Sequence, residues 1–428
     1  MKKFLAIALA LVMTLALVAC GNHPADTDTG DDGGKATIRF MVNGSAEELA
    51  LYEKAVNAFN EQSETTFVEM IGVTGDDYTA QVITQLSSNE APDVFYSEEG
   101  TFGELNQSGT LAKLNDYLNA EGSALTLKDI PESILAGYTF DGNITGVPVD
   151  SNPEVIYYNV DLFKELNIKS PAEYVAEGTW NFANFQATMQ ALKDAGKYGF
   201  VWENWWGPVY SFMLDKGDSL YTEDGNANFK TDRVMAGVKF LEENVKNGNI
   251  IYAGSLESGE SADTLFMAGD TGMVYNGRWS VPDYQDCSFT FDTVLFPGYE
   301  SNATSVSAVP ATPMVVNAAC ANLDSAWEFV SFYCGAEGQR IRMEGQGNAV
   351  PTVPGLEDIV LTGTPENAQA FLDALDCGFL YPQVETLHPG LTDIITGQIE
   401  SMLVGDQDAA ACVENIQTQA QAFIDEAK

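Results

Sequence analysis

The residues best equipped for chemistry gather in Trp202-Glu203-Asn204-Trp205-Trp206-Gly207-Pro208, with Tyr210 close behind. Three indoles within five positions are hard to bury together, because each N–H needs an acceptor. Their flat faces suit the C–H faces of a sugar ring, and carboxylates or amides beside them would accept from its hydroxyls. Core packing between helices is the plainer use of any single indole, so the cluster carries more weight than a member. Histidine is almost absent: His23 and His388 are the whole set, and no His-Glu-x-x-His run occurs, which leaves zinc hydrolysis without support. Cys287, Cys320, Cys334, Cys377 and Cys412 contain no Cys-x-x-Cys pair, so neither a zinc knuckle nor a thioredoxin-type site is indicated. They read as small buried hydrophobes; export permits a disulfide, but no pairing follows from spacing. No cofactor or metal is called for.

The chain that must position these groups has 428 residues, 45% hydrophobic and 11% aromatic, enough for two or three compact units. Sixty-two Asp and Glu against 20 Lys and Arg give a net charge of −42, which repels phosphate backbones and excludes nucleic acid as a partner. Lys2 and Lys3 precede a 16-residue apolar run, Phe4 to Ala19. As a helix that run spans ~24 Å, short of the ~30 Å of a bilayer core, so it reads as a secretory signal. Leu17-Val18-Ala19-Cys20-Gly21 resembles the bacterial lipobox, in which the Cys is acylated and becomes the mature N-terminus. The mature chain then has 18 basic against 62 acidic residues, or −44. Residues 22–35 are mostly Asp, Thr and Gly and read as a solvated tether. Asp26, Asp28, Asp31 and Asp32 suggest a calcium loop, but Thr37 stands where its bidentate Glu belongs.

From Ala36 short apolar runs alternate with helical periodicity. Thr37–Val42 reads as a strand ending at Asn43-Gly44, and Glu47–Gln62 as a helix with Leu49, Ala50, Val56 and Phe59 on one face. Thr66–Ile71, Tyr78–Ser88 and Ala91–Tyr96 repeat the unit, with a further helix starting near Phe102. After Asp150 the same grammar restarts: Val155–Tyr158 as strand, Val160–Asn167 as helix, and Trp180–Ala195 as a helix entered from Thr179. Such alternation argues for α/β lobes built on parallel sheets with helices on both faces. Ligands collect at the carboxyl ends of such strands, which points to the loops at Asn43, Ser97 and Asp150.

Several blocks resemble, in order, those of the family 1 extracellular solute-binding proteins of ABC importers, the maltose-binding-protein group. They are Ala91-Pro92-Asp93-Val94, Gly142 to Val149, Tyr158-Asn159-Val160-Asp161-Leu162-Phe163, and Thr179-Trp180-Asn181-Phe182. Phe266-Met267-Ala268-Gly269-Asp270 with Gly277-Arg278-Trp279, Ala326-Trp327-Glu328-Phe329-Val330, and Leu403-Val404-Gly405 complete the series. Val160 stands where the family usually has Lys, and Asp270 where it often has Lys or Glu; both bear on surface charge rather than on ligand.

The resemblance implies a two-lobed periplasmic-binding-protein-like fold of type II, with hinged lobes around a central cleft. Residues 1–19 would be the signal peptide, 20–35 the lipidated tether, 36–150 with 310–347 the first lobe, and 154–305 with 353–428 the second. Crossovers are expected near 150–153, 305–310 and 345–352. It also implies no catalysis: a sugar or oligosaccharide bound between the lobes favours the closed state, which the ABC permease reads. The group also implies a monomer, anchored through acylated Cys20 on the outer face of the bacterial cell membrane. Trp205, Trp206 and Tyr210 would furnish the platform, and Trp279 falls in the block where relatives place a stacking aromatic. Glu98, Glu99, Asp150 and Asn152 fall where relatives contact hydroxyls, and His388 in the late loop that enters the cleft. Asn43 and Tyr78 are weaker candidates from the first two loops. Arg278 could reach the ligand, although a salt bridge is its plainer role.

Two rivals stand beside this. An exported glycoside hydrolase would show the same aromatics and acids, with two carboxyls ~5–9.5 Å apart. The same fold could instead take a peptide, an anion or a metal; anion sites want several Arg or Lys at helix N-termini, and the site loops offer only Arg278.

Overall fold

The computed structural model describes residues 34–426 apart from positions 76, 89 and 346. The signal segment, Cys20 and nearly all of the tether lie outside the described residues. Ten strands position the site: β1 Ala36–Asn43, β2 Thr66–Val73, β3 Val94–Tyr96, β4 Val147–Pro148, β5 Val155–Asn159, β6 Phe200–Trp202, β7 Ile250–Tyr252, β8 Met273–Asn276, β9 Phe291–Val294 and β10 Pro313–Val316. They form two five-stranded sheets, ordered β2-β1-β3-β10-β4 and β9-β5-β8-β6-β7. The strand–helix–strand units pair in parallel, β1 with β2 from Ala36↔Thr66 and β1 with β3 at Phe40↔Val94. Neither sheet is wholly parallel, however. β10 returns from the other sheet and runs antiparallel to both β3 and β4, and β5 is antiparallel to β8 and β9.

The helices that matter are α1 Ala46–Gln62, α2 Tyr78–Ser88, α3 Glu99–Gln107, α4 Val160–Leu166, α5 Phe182–Asp194, α6 Trp206–Met213, α7 Leu323–Cys334, α8 Ala336–Met343 and α9 Gln383–Leu387. Ser45 and Glu48 form a capping box that starts α1. Its buried stripe is Leu51, Tyr52, Ala55, Val56 and Phe59, whereas Ala50 is exposed and Leu49 only half-buried. The stripe follows the i, i+3, i+4, i+7 rule from Tyr52. α5 is capped by Asn181, whose Oδ1 accepts from the Asn184 N–H at 3.0 Å, and not by Thr179. Trp180 intervenes: its buried indole donates to Leu295 O at 2.9 Å, which holds the chain extended past Thr179.

One core surrounds the first sheet, with Phe40 packed on Tyr96, Phe329 and Tyr333. Two more flank the second sheet. Between residues 349 and 360 the chain alternates between cores: Ala349, Val353, Leu356 and Ile359 belong to the first and Val350 and Val360 to the third.

Three segments run side by side between the sheets. Val149 N–H donates to Thr312 O at 3.0 Å, Asn152 N–H to Pro310 O at 2.7 Å and Glu154 N–H to Ala308 O at 2.8 Å; Ser151 and Val350 exchange both backbone bonds at 2.9 and 2.7 Å. Elsewhere the two halves meet edge to edge. Gln107 Nε2 donates to Leu387 O at 3.0 Å and Ser45 Oγ to Asp283 Oδ1 at 3.4 Å. Gly103 of α3 sits directly under the Thr386 carbonyl of α9, where no Cβ fits. All five cysteines described are free thiols, four buried and Cys287 half-buried.

Candidate ligand-binding cleft

The sharp start of α6 sets the aromatic surface. Trp205 occupies the N-cap in extended conformation and Trp206 the first helical position, so the two rings meet nearly at right angles, centroids 5.6 Å apart. Trp279 approaches Trp205 from the turn after β8, at 6.2 Å. Trp205 and Trp279 are half-buried. Trp206 is more deeply set, against Tyr381 at 5.4 Å and Phe379 at 6.0 Å. Trp202 is core, packed on Tyr252 and Phe212.

Glu99 reaches this surface from the other half of the molecule. Its Oε1 accepts from the Ala311 N–H at 2.7 Å, and its carboxylate also accepts from the Trp206 indole. Burial pushes its pKa up to about 7 despite those two bonds, with Glu98 adding repulsion. Glu98 itself is exposed at the N-cap of α3. Asn43 is half-buried at the end of β1. Asn152 donates to Asp150 Oδ1 at 3.1 Å, and its own Oδ1 is buried without a partner.

Other candidates are committed elsewhere. Tyr78 Oη lies 2.7 Å from Tyr96 O and 3.1 Å from Met41 O, tying α2 to the first sheet. Tyr210 Oη donates to Glu385 Oε2 at 2.7 Å, and Tyr221 to Oε1 at 2.8 Å, which locks α9 down. Asp150 is buried in an ion pair with Arg342. Arg278 meets no carboxylate among the described residues: it donates to Ala349 O and lies over the Phe371 ring, centroid 5.8 Å away, so the expected salt bridge is replaced by a carbonyl and an aromatic face. Burial lowers its pKa to about 10, with Tyr157 opposing. His388 Nδ1 sits 2.7 Å from Val384 O and closes the end of α9.

Glu154 is a candidate that the sequence reading misses. It is fully buried on the first crossing segment, and neither carboxylate oxygen has a hydrogen-bond partner. A Cβ at position 207 would collide with its Oε2 and come within 2.8 Å of the Trp205 ring, so Gly207 makes room for both. Burial first, then Glu203 and Glu99, raise its pKa well above the ordinary carboxyl value. Ser305 Oγ and Ser307 Oγ, on the second crossing segment, are likewise buried and unpartnered. Since buried polar groups are normally satisfied, these atoms mark where a ligand or water belongs. A separate cavity of about 440 Å³ lies along the joint, lined by Ile134, Val309, Val353, Leu372, Leu375 and Leu380. Its size falls within the range of small-molecule sites, and its lining is mainly apolar, with Ser133, Ser151, Thr352 and Glu357 as the polar side chains.

Among relatives by sequence, a maltooligosaccharide ABC transporter solute-binding lipoprotein of Streptococcus pneumoniae is 21% identical over 82% of this chain and 80% of its own. A multiple sugar-binding protein of Streptococcus mutans is 24% identical over 87% of this chain and 88% of its own. An uncharacterized lipoprotein of Streptomyces antibioticus is 25% identical over 47% of this chain; the match spans 42% of that protein, less than half its length. Among solved structures, an ABC substrate-binding protein of Listeria monocytogenes in complex with cycloalternan superposes with a TM-score of 0.81 at 20% identity, covering 91% of this chain and 99% of that one. UgpB of Mycobacterium tuberculosis in complex with glycerophosphocholine gives 0.75 at 19% identity, covering 92% and 99%. The chain shares the fold of these solved structures: two lobes of mixed α/β structure about a cleft. Residues 54–371, most of the chain, match the model of the bacterial extracellular solute-binding proteins, and the chain belongs to that family.

Proposed function

We propose that this protein is the extracytoplasmic receptor of an ABC importer, that it takes a carbohydrate between its lobes, and that it performs no reaction of its own. The observation that carries the reading is the three-tryptophan surface on one half, met by Glu99 from the other and backed by unpartnered polar atoms on the crossing segments. Trp205 and Trp279 are the stacking faces. Glu98, Glu99, Asn43 and Asn152 are the hydroxyl-binding groups, and Tyr78, Tyr210, Asp150, Arg278 and His388 hold the frame around them. The three crossing segments are the hinges, and capture of solute by both lobes favours the closed form for the permease. The protein works as a monomer held at the membrane by acylated Cys20.

A thermal-shift screen of the mature chain carrying Cys20→Ala, against mono- and oligosaccharides, tests the ligand class, because a ligand of the native state raises stability by RT ln(1 + [L]/Kd). A saccharide that raises the melting temperature and is recovered uncleaved supports the reading. Cleavage of the bound sugar would move the protein to the glycoside hydrolases, and a shift with peptides alone would move it to another solute.

A further inference from the structure

We infer that Arg278 is a positioning residue for solute capture: with Asn348 it forms the pivot on which the Trp279 face swings toward the first lobe. This rests on the proposed capture between the lobes and adds how the aromatic surface is moved. Three consecutive residues of the third crossing segment are fastened to three different bodies. Asn348 Nδ2 donates to Tyr52 Oη at 2.9 Å and to Glu48 Oε1 at 3.3 Å, both on α1 of the first lobe. The Ala349 carbonyl accepts from Arg278 Nη1, on the second lobe. Val350 exchanges its backbone bonds with Ser151 of the first crossing segment, whose hydroxyl adds a bond to Val350 O at 3.2 Å. All three residues are buried, so water is no ready substitute for these bonds.

Arg278 and Trp279 share the short turn after β8, and their side chains diverge from it. The Trp279 ring lies where a Cβ on Gly277 would stand and meets Trp205, whereas the Arg278 guanidinium is buried against Phe371 and Ala349. Tyr157 Oη donates to Gly277 O at 2.7 Å and holds the root of the turn to β5. The turn runs directly into the helix Val281–Tyr284, whose Asp283 accepts from the Ser45 hydroxyl at 3.4 Å. Ser45 and Glu48 are the capping box of α1, so the contacts close a ring from Arg278 through Ala349, Asn348, Glu48, Ser45 and Asp283. The long Ser45–Asp283 bond is its weakest member. Separating the lobes breaks that bond first and leaves the buried bonds of Asn348 and Arg278 as the axis. A guanidinium buried without a carboxylate among the described residues is a poor source of stability, because a carbonyl and a ring only partly offset its desolvation. What it supplies is a rigid planar fork that fixes the distance between the Trp279 turn and the crossing segment.

The test cuts one end of the pivot and reads the other. Amide hydrogen exchange is followed without ligand on the mature chain carrying Cys20→Ala, for Arg278→Met, Asn348→Ala and the double variant. Arg278→Met should speed exchange roughly fivefold or more across residues 45–52 of the first lobe, and Asn348→Ala should do the same across 278–284 of the second. The double variant should add little to the larger single effect, because both substitutions cut one path. Titration calorimetry with maltotriose should show roughly tenfold weaker binding in each single variant and no further loss in the double. Exchange that stays parental in the opposite lobe, or affinity losses that multiply to roughly a hundredfold, overturns the pivot and leaves the carbohydrate reading standing. If neither maltotriose nor any other saccharide binds the parent, the carbohydrate reading falls and the exchange pattern alone decides the pivot. Melting temperatures identify a variant that fails to fold, and the other single variant then decides by its effect across the joint.

Discussion

Arg342 donates through Nη1 to Asp150 Oδ2 at 2.8 Å and through Nη2 to the Val149 carbonyl at 2.9 Å, with its guanidinium 4.4 Å from the centroid of the Tyr333 ring. Both side chains are buried, so α8 is pinned to the point where the chain leaves the first sheet. Burial raises the Asp150 pKa and Arg342 works against that rise.

Removing the arginine alone leaves Asp150 buried and unpaired. Arg342→Met should therefore cost about 3–5 kcal/mol of stability, and adding Asp150→Asn should recover part of the loss. Urea unfolding of the two variants measures this, and a single variant as stable as the parent would show that the pair is dispensable.

Trp279→Ala and Trp205→Ala remove half-buried faces. Each should weaken saccharide binding roughly ten- to a hundredfold, from ~1–3 kcal/mol of lost stacking and burial, and leave melting nearly unchanged. Trp206→Ala should behave differently, because that ring is packed on Tyr381, Phe379 and Tyr210: it should lower stability by ~3–5 kcal/mol as well as affinity. Calorimetry paired with thermal melts separates the two patterns, and parental affinity in both Trp205 and Trp279 variants would misplace the platform.

Stability should fall between about pH 4 and pH 7. Burial raises Glu48, Glu99 and Glu385 to about 7 from 4.5, and burial together with Glu47 raises Asp283 to about 6 from 3.8. The folded chain therefore binds more protons than the unfolded one across that interval, so this contribution is greatest below the unfolded values and is lost as pH rises through the folded ones. A net charge of −42 pushes the same way. Melting temperatures at pH 5 and pH 7.5 check the sign, and a higher value at pH 7.5 would refute it.

Gly103→Ala should part the lobes on one side. The added methyl has no space under the Thr386 carbonyl, so α3 and α9 must separate. Small-angle scattering should then give a larger radius of gyration than the parent's without ligand, together with weaker binding. An unchanged radius would mean that the contact relaxes locally.

The sequence displays the strand–helix units plainly, since a buried strand such as Val155-Ile156-Tyr157-Tyr158 and a capped helix such as Tyr78–Ser88's neighbour Ala46–Gln62 each obey a local rule. It also displays the indole cluster, because Trp205 and Trp206 are adjacent in the chain. Sheet direction is hidden: β10 is antiparallel to β3 only because the chain has crossed to the other half and back between them. Glu154 is hidden for a related reason. One acid ahead of an apolar strand resembles a solvated strand end, and its burial depends on Gly207 and Ala308, each more than fifty positions away. Tyr78 and Tyr210 misled for the opposite reason: they stand in the right loops, but their hydroxyls face carbonyls and Glu385.

The free thiols have a consequence for durability. Burial is the leading cause that lifts Cys287, Cys320 and Cys377 to about 11 and Cys334 and Cys412 to about 12. At neutral pH the reactive thiolate is then roughly one part in ten thousand or less at each position. The fold therefore needs no disulfide among the five described cysteines, and burial shields four of those sulfurs from solvent. It should keep its shape and its solute equally in aerated and in oxygen-free surroundings.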